Sequence, residues 1–239
     1  MNNFVNKLKA KIKSNRYVEL KKQRGMSLLE VIIVLGIIGT MAAVVVVLAQ
    51  RAFTNKDITD LNDNTNSVRV ATVAAFESSG SYPSAATTAT ALTDMASIKA
   101  ATGSTAPMVA TLVNLGQISM NEIKNGISGD FFTMQGIQLV KGATGPTRGF
   151  ALVVNGLDQT ECRSFLLQSG NQWDFVAVDT AAGGVDPAMP DSLSEPVTTT
   201  GATGVRRSLD TSGQVEITAA TVVDSCEDSS DNAIILGSK

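Results

Sequence analysis

Histidine is absent from this 239-residue sequence, and cysteine occurs only twice. Histidine is the most common general base and a frequent metal ligand, so its absence removes a side chain on which many hydrolytic and metal-dependent sites are built. The remaining residues that can act in catalysis or metal binding do not occur at the spacing of a known catalytic or metal-binding motif. We therefore expect a protein that is not an enzyme, with no catalytic residue, no metal and no cofactor.

Two motifs place acidic residues close together. Asp60–Asn66 has the alternating oxygens of a calcium loop, but Thr65 and Ala71 stand where such a loop needs glycine and glutamate. We interpret it as a solvated helix face. A second group flanks Cys226. Paired-carboxylate catalysis is conceivable there, but solvated loop charge is the better interpretation of Asp224, Glu227, Asp228 and Asp231.

Charge is missing from one long stretch. Val31–Gln50 is a 20-residue run without aspartate, glutamate, lysine or arginine, and a helix of that length, about 30 Å, crosses the hydrocarbon core of a bilayer. Glu30 is the only charged residue between Gly25 and Gln50. A carboxylate in apolar surroundings is costly unless a cation meets it, so Glu30 is predicted to have a functional partner. The alternative is a carboxylate that snorkels at the membrane face near the helix start.

Basic residues are concentrated before this run. Residues 1–24 hold 8 of the 19 basic and 1 of the 22 acidic residues, which leaves 11 basic and 21 acidic residues, a net charge of −10, for a chain starting at Met26. Such a leader stays in the cytoplasm, so the C-terminal portion is expected outside. A secretory signal would have a shorter apolar core followed by its cleavage site. Arg206–Arg207 is too small a basic patch to predict a nucleic-acid partner.

Proline is absent before Pro83, which allows one long helix. Apolar and small side chains recur at helical spacing beyond Arg51, and Gly80 and Pro83 provide a stop. We predict a helix of roughly 50 residues. Its first half is apolar on all sides and spans the membrane, and its second half packs on a domain through Ile58, Leu61, Thr65, Val68, Thr72 and Phe76.

The rest of the chain predicts an α+β domain with a small antiparallel sheet packed on the long helix. Strands are expected at 148–155 and 173–179, with weaker ones near 213–218 and 233–236. Helices are expected near 92–98, for a turn or two from Ser119, and from Asp158 through Leu167. The segment 181–203 is interpreted as a surface loop.

Both cysteines, Cys162 and Cys226, follow the apolar run. Exported domains usually pair such residues, so one disulfide is predicted. A loop of 64 residues gives about 4 kcal/mol in the chain-entropy model. The alternative is two unrelated buried thiols.

The junction Gly25-Met26-Ser27-Leu28-Leu29-Glu30-Val31 resembles the processing site of type IV prepilins. The resemblance implies that a prepilin peptidase cuts between Gly25 and Met26 and methylates the new amino terminus of Met26. It also implies that this amine is the cation that meets Glu30 of a neighbouring subunit during assembly.

Other features resemble the type IVb subclass, which includes the toxin-coregulated, longus and colonization-factor pilins. They are the long leader, a first mature residue that is methionine, a large domain with two distant cysteines, and the segments Val113–Ser119 and Val154–Leu157. The organisation implied is a cleaved leader at 1–25, an apolar half-helix at 26–50 and a globular pilin domain at 51–239. Unlike type IVa pilins, the apolar half has no proline, and its weak points are Gly36 and Gly39.

Membership of this subclass implies a major pilin that polymerises into an extracellular filament for adhesion, bacterial aggregation and host colonisation. Its partners would be further copies of itself, the prepilin peptidase, an inner-membrane assembly platform, a motor ATPase and minor pilins. It would lie in the inner membrane before assembly and on the cell surface afterwards. The alternatives are a minor pilin, a type II secretion pseudopilin, or a monomeric membrane-anchored periplasmic binding domain.

Overall fold

A computed structural model describes residues 26–84 and 92–239. Its first element, helix α1, comprises Leu28–Phe76, 49 residues without interruption, which confirms the long helix expected from the absence of proline. A 3-10 turn at Glu77–Ser79 and Gly80, with a φ of 62°, end it as predicted. The chain divides between Ala52 and Phe53 into two units. The predicted leader, residues 1–25, lies outside the described residues.

Within the described residues, four further α-helices are short. They are α2 (Met95–Ala100), α3 (Met108–Asn114), α4 (Gln159–Ser169) and α5 (Ala219–Val222). The side chain of Asp158 accepts a hydrogen bond from the amide of Glu161, and the Glu161 side chain accepts one from the amide of Asp158. This reciprocal cap confirms the predicted start of α4.

The sheet has five strands: β1 (Thr133–Ile137), β2 (Gly149–Leu157), β3 (Phe175–Thr180), β4 (Gly204–Arg207) and β5 (Asn232–Ser238). Their order is β1-β2-β5-β3-β4, and every neighbouring pair is antiparallel. The predicted α+β class and small antiparallel sheet are therefore confirmed. β5, expected only as a weak strand, occupies the centre of the sheet.

The main core lies between one face of the sheet and the amphipathic half of α1. Ile58, Leu61 and Val68 of α1 are buried in one cluster with sheet residues such as Leu152 and Leu236. Thr65 and Thr72 are buried on the same side of the helix. The 3-4 spacing therefore identified the packed face of α1 correctly, because that spacing returns side chains to one side of a helix.

The second face of the sheet is covered by part of the 181–203 segment. Leu193 of this segment is fully buried with Val153, Phe175 and Ile235. A Cβ atom at Gly149 or Gly237 would lie 2.6 Å from a Leu193 methyl carbon, so both glycines are needed for the leucine to reach the sheet. The segment has no helix or strand, as expected, but it is not wholly a surface loop.

Two elements expected from the sequence do not form in the structure. No strand forms at 213–218, because side chains bind this backbone: Asn171 Oδ1 accepts from the Ile217 amide, and Arg207 Nη1 donates to the Val215 carbonyl. The segment from Ser119 forms a turn instead of a helix, although Glu122 still accepts hydrogen bonds from the amide and hydroxyl of Ser119. The strands β1 and β4 and the helices α3 and α5 were not predicted.

The interpretation of Asp60–Asn66 as a solvated helix face was only half right. Asn62 and Thr65 are buried. Asn64 Nδ2 donates to the carbonyl of Lys124 at 3.4 Å, and Asn66 also reaches the domain. Asp60 and Asp63 are exposed. The polar residues of this stretch therefore fasten α1 to its domain while its aspartates face solvent.

Candidate assembly site

The apolar half of α1, Leu28–Gln50, exposes its large apolar side chains along its length. Leu35 is 62% exposed and Val45 is 63% exposed, and the other large apolar side chains of the run are exposed as well. This is the helix that is long and apolar enough to span a membrane, judged by its length and composition over the described residues. A continuous apolar surface of this size requires lipid or other helices around it.

The helix continues without a break through Gly36 and Gly39. A Cβ atom built at either glycine would meet no atom within 4 Å. The hydroxyl of Thr40 donates to the carbonyl of Ile37 at 2.9 Å, which satisfies it inside the apolar run. The glycines therefore leave two shallow notches where another helix can approach closely.

Glu30 lies in the first turn of α1 and is exposed. Its carboxylate makes no salt bridge within residues 26–84 and 92–239, where the ion pairs are Lys56–Asp60 and Lys141–Glu195. Met26, the first described residue, is 74% exposed. Gly25 lies outside the described residues. The structure thus leaves the lone carboxylate of the apolar half available to a cation from elsewhere.

The amphipathic half of α1 is fastened to its domain by polar contacts. Asn66 Nδ2 donates to Gln172 Oε1 at 2.8 Å, and Arg69 Nη1 donates to the carbonyl of Gln172. The guanidinium of Arg69 also lies 5.2 Å from the centroid of the Trp173 ring. Sequence reasoning missed these residues, because a polar residue on a helix gives no signal of which partner it meets.

The two cysteines form the predicted disulfide, Cys162–Cys226, with a Cα–Cα distance of 6.2 Å. It joins α4 to the segment that follows α5. Gln159 Nε2 donates to the carbonyl of Cys226 at 3.1 Å, and Arg163 Nε donates to the carbonyl of Ser225 at 2.9 Å. Cys226 has a φ of 72°, a left-handed conformation that these contacts hold. Together they fix the C-terminal part of the domain to α4.

A buried amide network holds two loops beside β2. Asn155 is 4% exposed. Its Nδ2 donates to Asp130 Oδ2 and to the carbonyl of Val185, both at 2.9 Å. Asn125 Nδ2 in turn donates to the Asn155 carbonyl at 2.8 Å. Asn155 is followed by Gly156, which has a φ of 68°, so the strand bulges here and its side chain turns into the network.

Burial is the main cause of the shifted pKa values of Glu161, Asp186 and Arg206. Burial raises the pKa of Glu161, and the nearby Asp158 and Asp57 add to that rise. Burial likewise raises the pKa of Asp186, and it lowers the pKa of Arg206. Within the part of the chain that the structure describes, no group of three or more histidine, cysteine, aspartate or glutamate residues could hold a metal ion.

Arg206 and Arg207 serve the fold. Arg206 donates to the carbonyls of Thr198, Gly201 and Thr203, and Arg207 donates to the carbonyls of Trp173 and Val215. Their guanidinium groups are engaged with the protein's own backbone.

Two family models match the chain. One, described as the prokaryotic N-terminal methylation motif, matches residues 20–46. The other, described as toxin-coregulated pilus subunit TcpA, matches residues 111–233, which is slightly more than half of the chain. The first covers the Gly25–Met26 junction and Glu30, and the second covers both cysteines.

The chain is also similar to individual pilins. The toxin coregulated pilin of Vibrio cholerae serotype O1 (strain ATCC 39315 / El Tor Inaba N16961) is 35% identical over 160 residues, and another Vibrio cholerae toxin coregulated pilin is 34% identical over 162 residues. These matches cover 67% and 68% of this chain, and the chain spans 64% of the length of both relatives. The crystal structure of TcpA, a type IV pilin from Vibrio cholerae El Tor biotype, superposes with a TM-score of 0.59 at 22% identity, covering 77% of this chain and 99% of that one.

Proposed function

Because this chain belongs to the toxin-coregulated pilus subunit TcpA family, we propose that it is the major pilin of a type IVb pilus. The observation that carries the proposal is an exposed apolar half-helix whose only charged side chain, Glu30, lies within the methylation motif. Such a helix needs partners, and identical helices of further copies supply them. The proposed organisation is a leader at 1–25, a polymerisation half-helix at 26–50 and a globular domain at 51–239.

Processing is the first proposed step. A prepilin peptidase in the inner membrane cuts between Gly25 and Met26 and methylates the new amino terminus of Met26. The methylation motif at residues 20–46 supports this step. Cleavage removes the basic leader, which otherwise holds the N-terminal end at the cytoplasmic face of the membrane.

Filament formation exchanges lipid for neighbouring helices. Lipid tails are as apolar as the side chains of Leu28–Gln50, so this exchange gives little net driving force. Close packing at Gly36 and Gly39 and the pairing of Glu30 then determine which arrangement forms. A motor ATPase, an assembly platform and minor pilins are the proposed partners that supply work and start the filament.

Glu30 is proposed to set the register between subunits. After cleavage, the amine of Met26 lies about one helical turn from Glu30 of its own chain, but it extends past the helix end while the carboxylate projects sideways. A neighbouring subunit shifted along the fibre places its Glu30 at that amine. In an apolar core an unpaired member of such a pair costs about 3–5 kcal/mol, so a misdocked subunit is penalised and a docked one is not.

The proposed destination is an extracellular filament that supports adhesion, bacterial aggregation and host colonisation, with the domain outside the cell. The rival assignments predict a different location or abundance of the processed chain. A monomeric membrane-anchored binding domain stays in the membrane without cleavage, while a minor pilin or pseudopilin is processed but does not form the bulk of a filament.

Mass spectrometry of the mature N-terminus, combined with electron microscopy of sheared surface material, tests the proposal. We expect a methylated Met26 terminus and filaments composed mainly of this chain. Gly25→Val cells should accumulate full-length precursor in the inner membrane, with Gly36→Val cells as a control that keeps the junction intact for cleavage. Normal processing of the Gly25→Val chain would contradict the proposed cleavage.

A further inference from the structure

The amphipathic half of α1 exposes apolar side chains near its C-terminal end. Val70 is 66% exposed and Val73 is 39% exposed, and Ala74 is exposed beside them. Residues three and four positions apart lie on the same side of a helix, so these side chains and the exposed Glu77 form one stripe. The stripe is about 10 Å long, since a helix rises about 1.5 Å per residue.

This stripe forms one wall of an open groove of about 560 Å³. Gln172, Asp174 and Ser238 line the opposite side. The carboxylate of Asp174 already accepts hydrogen bonds from the Ser238 hydroxyl and the Lys239 amide. Glu77, by contrast, makes no ion pair within the described part of the chain. The groove therefore combines an apolar wall with an unpaired carboxylate at its end.

The charges at the groove favour a cationic partner. Arg69 also lines it, but this guanidinium already donates to the Gln172 carbonyl and lies over the Trp173 ring. The carboxylates of Glu77 and Asp174 outnumber it. A segment that fills the groove must therefore present apolar or small side chains to the α1 stripe and one cation to Glu77.

The exposed face of α2 has these properties. Met95, Ala96, Lys99 and Ala100 are exposed, and their spacing places them on one side of the helix, while the fully buried Ile98 holds the other side in the core. Lys99 makes no ion pair among the residues that the structure describes. At about 1.5 Å per residue, α2 is about 9 Å long, which matches the α1 stripe.

We propose that α2 of one copy of this chain docks in this groove on a neighbouring copy. Met95 and the two alanines of α2 contact Val70 and Val73, and the small alanine side chains let the two helices approach closely. The Lys99 ammonium lies beside the Glu77 carboxylate.

The two surfaces are different, so every copy offers both of them. A contact between two different surfaces extends from copy to copy instead of closing in a two-fold dimer. That is the kind of contact a filament requires. The inference rests on the proposed function, because it names the contact between the domains of neighbouring subunits in the proposed filament.

Charge reversal in the full chain tests the contact, with filament yield measured in sheared surface material. Lys99→Glu brings two carboxylates together and Glu77→Lys brings two ammonium groups together. Each single variant should lower the yield about tenfold or more, because like charges disfavour docking. The double variant Lys99→Glu, Glu77→Lys restores opposite charges at the same place and should return the yield to within about threefold of the native chain.

A second pair of variants tests the apolar wall. Val70→Gln changes a groove valine that is 66% exposed, and its control, Val223→Gln, changes a valine that is 62% exposed and lies outside the groove. The yield should fall in Val70→Gln and not in Val223→Gln. All these positions are exposed, so the urea midpoint of the detergent-solubilised subunits should not change.

The outcomes separate this inference from the proposed function. Native cells that make no filament of this chain would contradict the proposed function, and the docking contact with it. Native filaments together with single charge variants that assemble normally would overturn the docking contact alone. A double variant that is as defective as the single ones, or equal yields from Val70→Gln and Val223→Gln, would do the same.

Discussion

The guanidinium of Arg69, on the amphipathic half of α1, lies 5.2 Å from the ring centroid of Trp173, the residue that precedes β3 by two positions. The same guanidinium donates to the carbonyl of Gln172. The helix is thus joined to the sheet by a polar and aromatic contact as well as by the apolar core. In the proposed filament, this attachment would join the packed helices to the domain.

Arg69→Met should weaken the attachment of α1 to the domain. It removes the cation–π contact and the bond to Gln172, so the free energy of unfolding should fall by about 1–2 kcal/mol. Urea unfolding of the mature chain in detergent, followed by the fluorescence of the single tryptophan, measures it. Arg148→Met changes an exposed arginine and should leave the midpoint within error; an equal loss in both variants would show that the contact contributes nothing specific.

Asn155→Ala should destabilise the domain more strongly. It removes the hydrogen bonds that the half-buried Asp130 and Ser128 make with the Asn155 side chain, which costs about 2–3 kcal/mol. Hydrogen exchange should rise at 125–131 and 182–186 before the rest of the domain. Asn121→Ala, at an exposed position, is the matched control. Unchanged exchange in those two loops would argue against the network's role.

Loss of the disulfide should cost about 4 kcal/mol, since the closed loop contains 64 residues. The double variant Cys162→Ser, Cys226→Ser is expected to unfold at lower urea and to give fewer filaments. A reductant should lower the stability of the native chain and leave that of the double variant unchanged, because the chain has no other cysteine. Two free thiols per unfolded, unreduced chain would contradict the pairing.

Asp186 should make stability depend on pH. Burial raises its pKa, Asp130 adds to the rise, and the hydrogen bond from Thr133 opposes it. Between the ordinary value of 3.8 and this raised value, the folded state binds more protons, so the group lowers stability as pH rises through that window. Asp186→Asn should therefore unfold at higher urea than the native chain at pH 7, and the gain should shrink as the pH falls below the window. Asp191→Asn, at an exposed position, should show no such trend.

The parts of the fold that local pattern determines were predictable from the sequence. The burial of Ile58, Leu61 and Val68 follows from their spacing, and the start of α4 follows from Asp158 and Glu161. The strand predicted at 213–218 failed because Asn171 and Arg207, both distant in sequence, bind its backbone. β4 was missed because it is a four-residue edge strand containing two arginines, whose pairing with β3 is a long-range contact.

Candidate site residues could be predicted from the sequence where a residue type is unusual for its surroundings. A lone carboxylate in an apolar run predicts a role for Glu30, which stays a prediction, and two cysteines beyond an apolar run predicted the disulfide that the structure shows. The roles of Arg69, Asn155 and Arg206 were not predictable, because each depends on which carbonyl or ring the fold brings to it. Polar residues of this kind occur throughout any surface, and the sequence does not distinguish those that the fold buries.

Filament yield from Glu30→Ala cells tests the central claim most directly, measured by electron microscopy and quantification of sheared surface material. The variant leaves the Met26 amine without its carboxylate, so we expect normally processed subunits in the inner membrane and few or no filaments. Glu30→Asp should give an intermediate yield because its shorter side chain reaches the amine poorly. Mass spectrometry of the N-terminus confirms that processing is unchanged. Wild-type amounts of filament from correctly processed Glu30→Ala subunits would contradict the account.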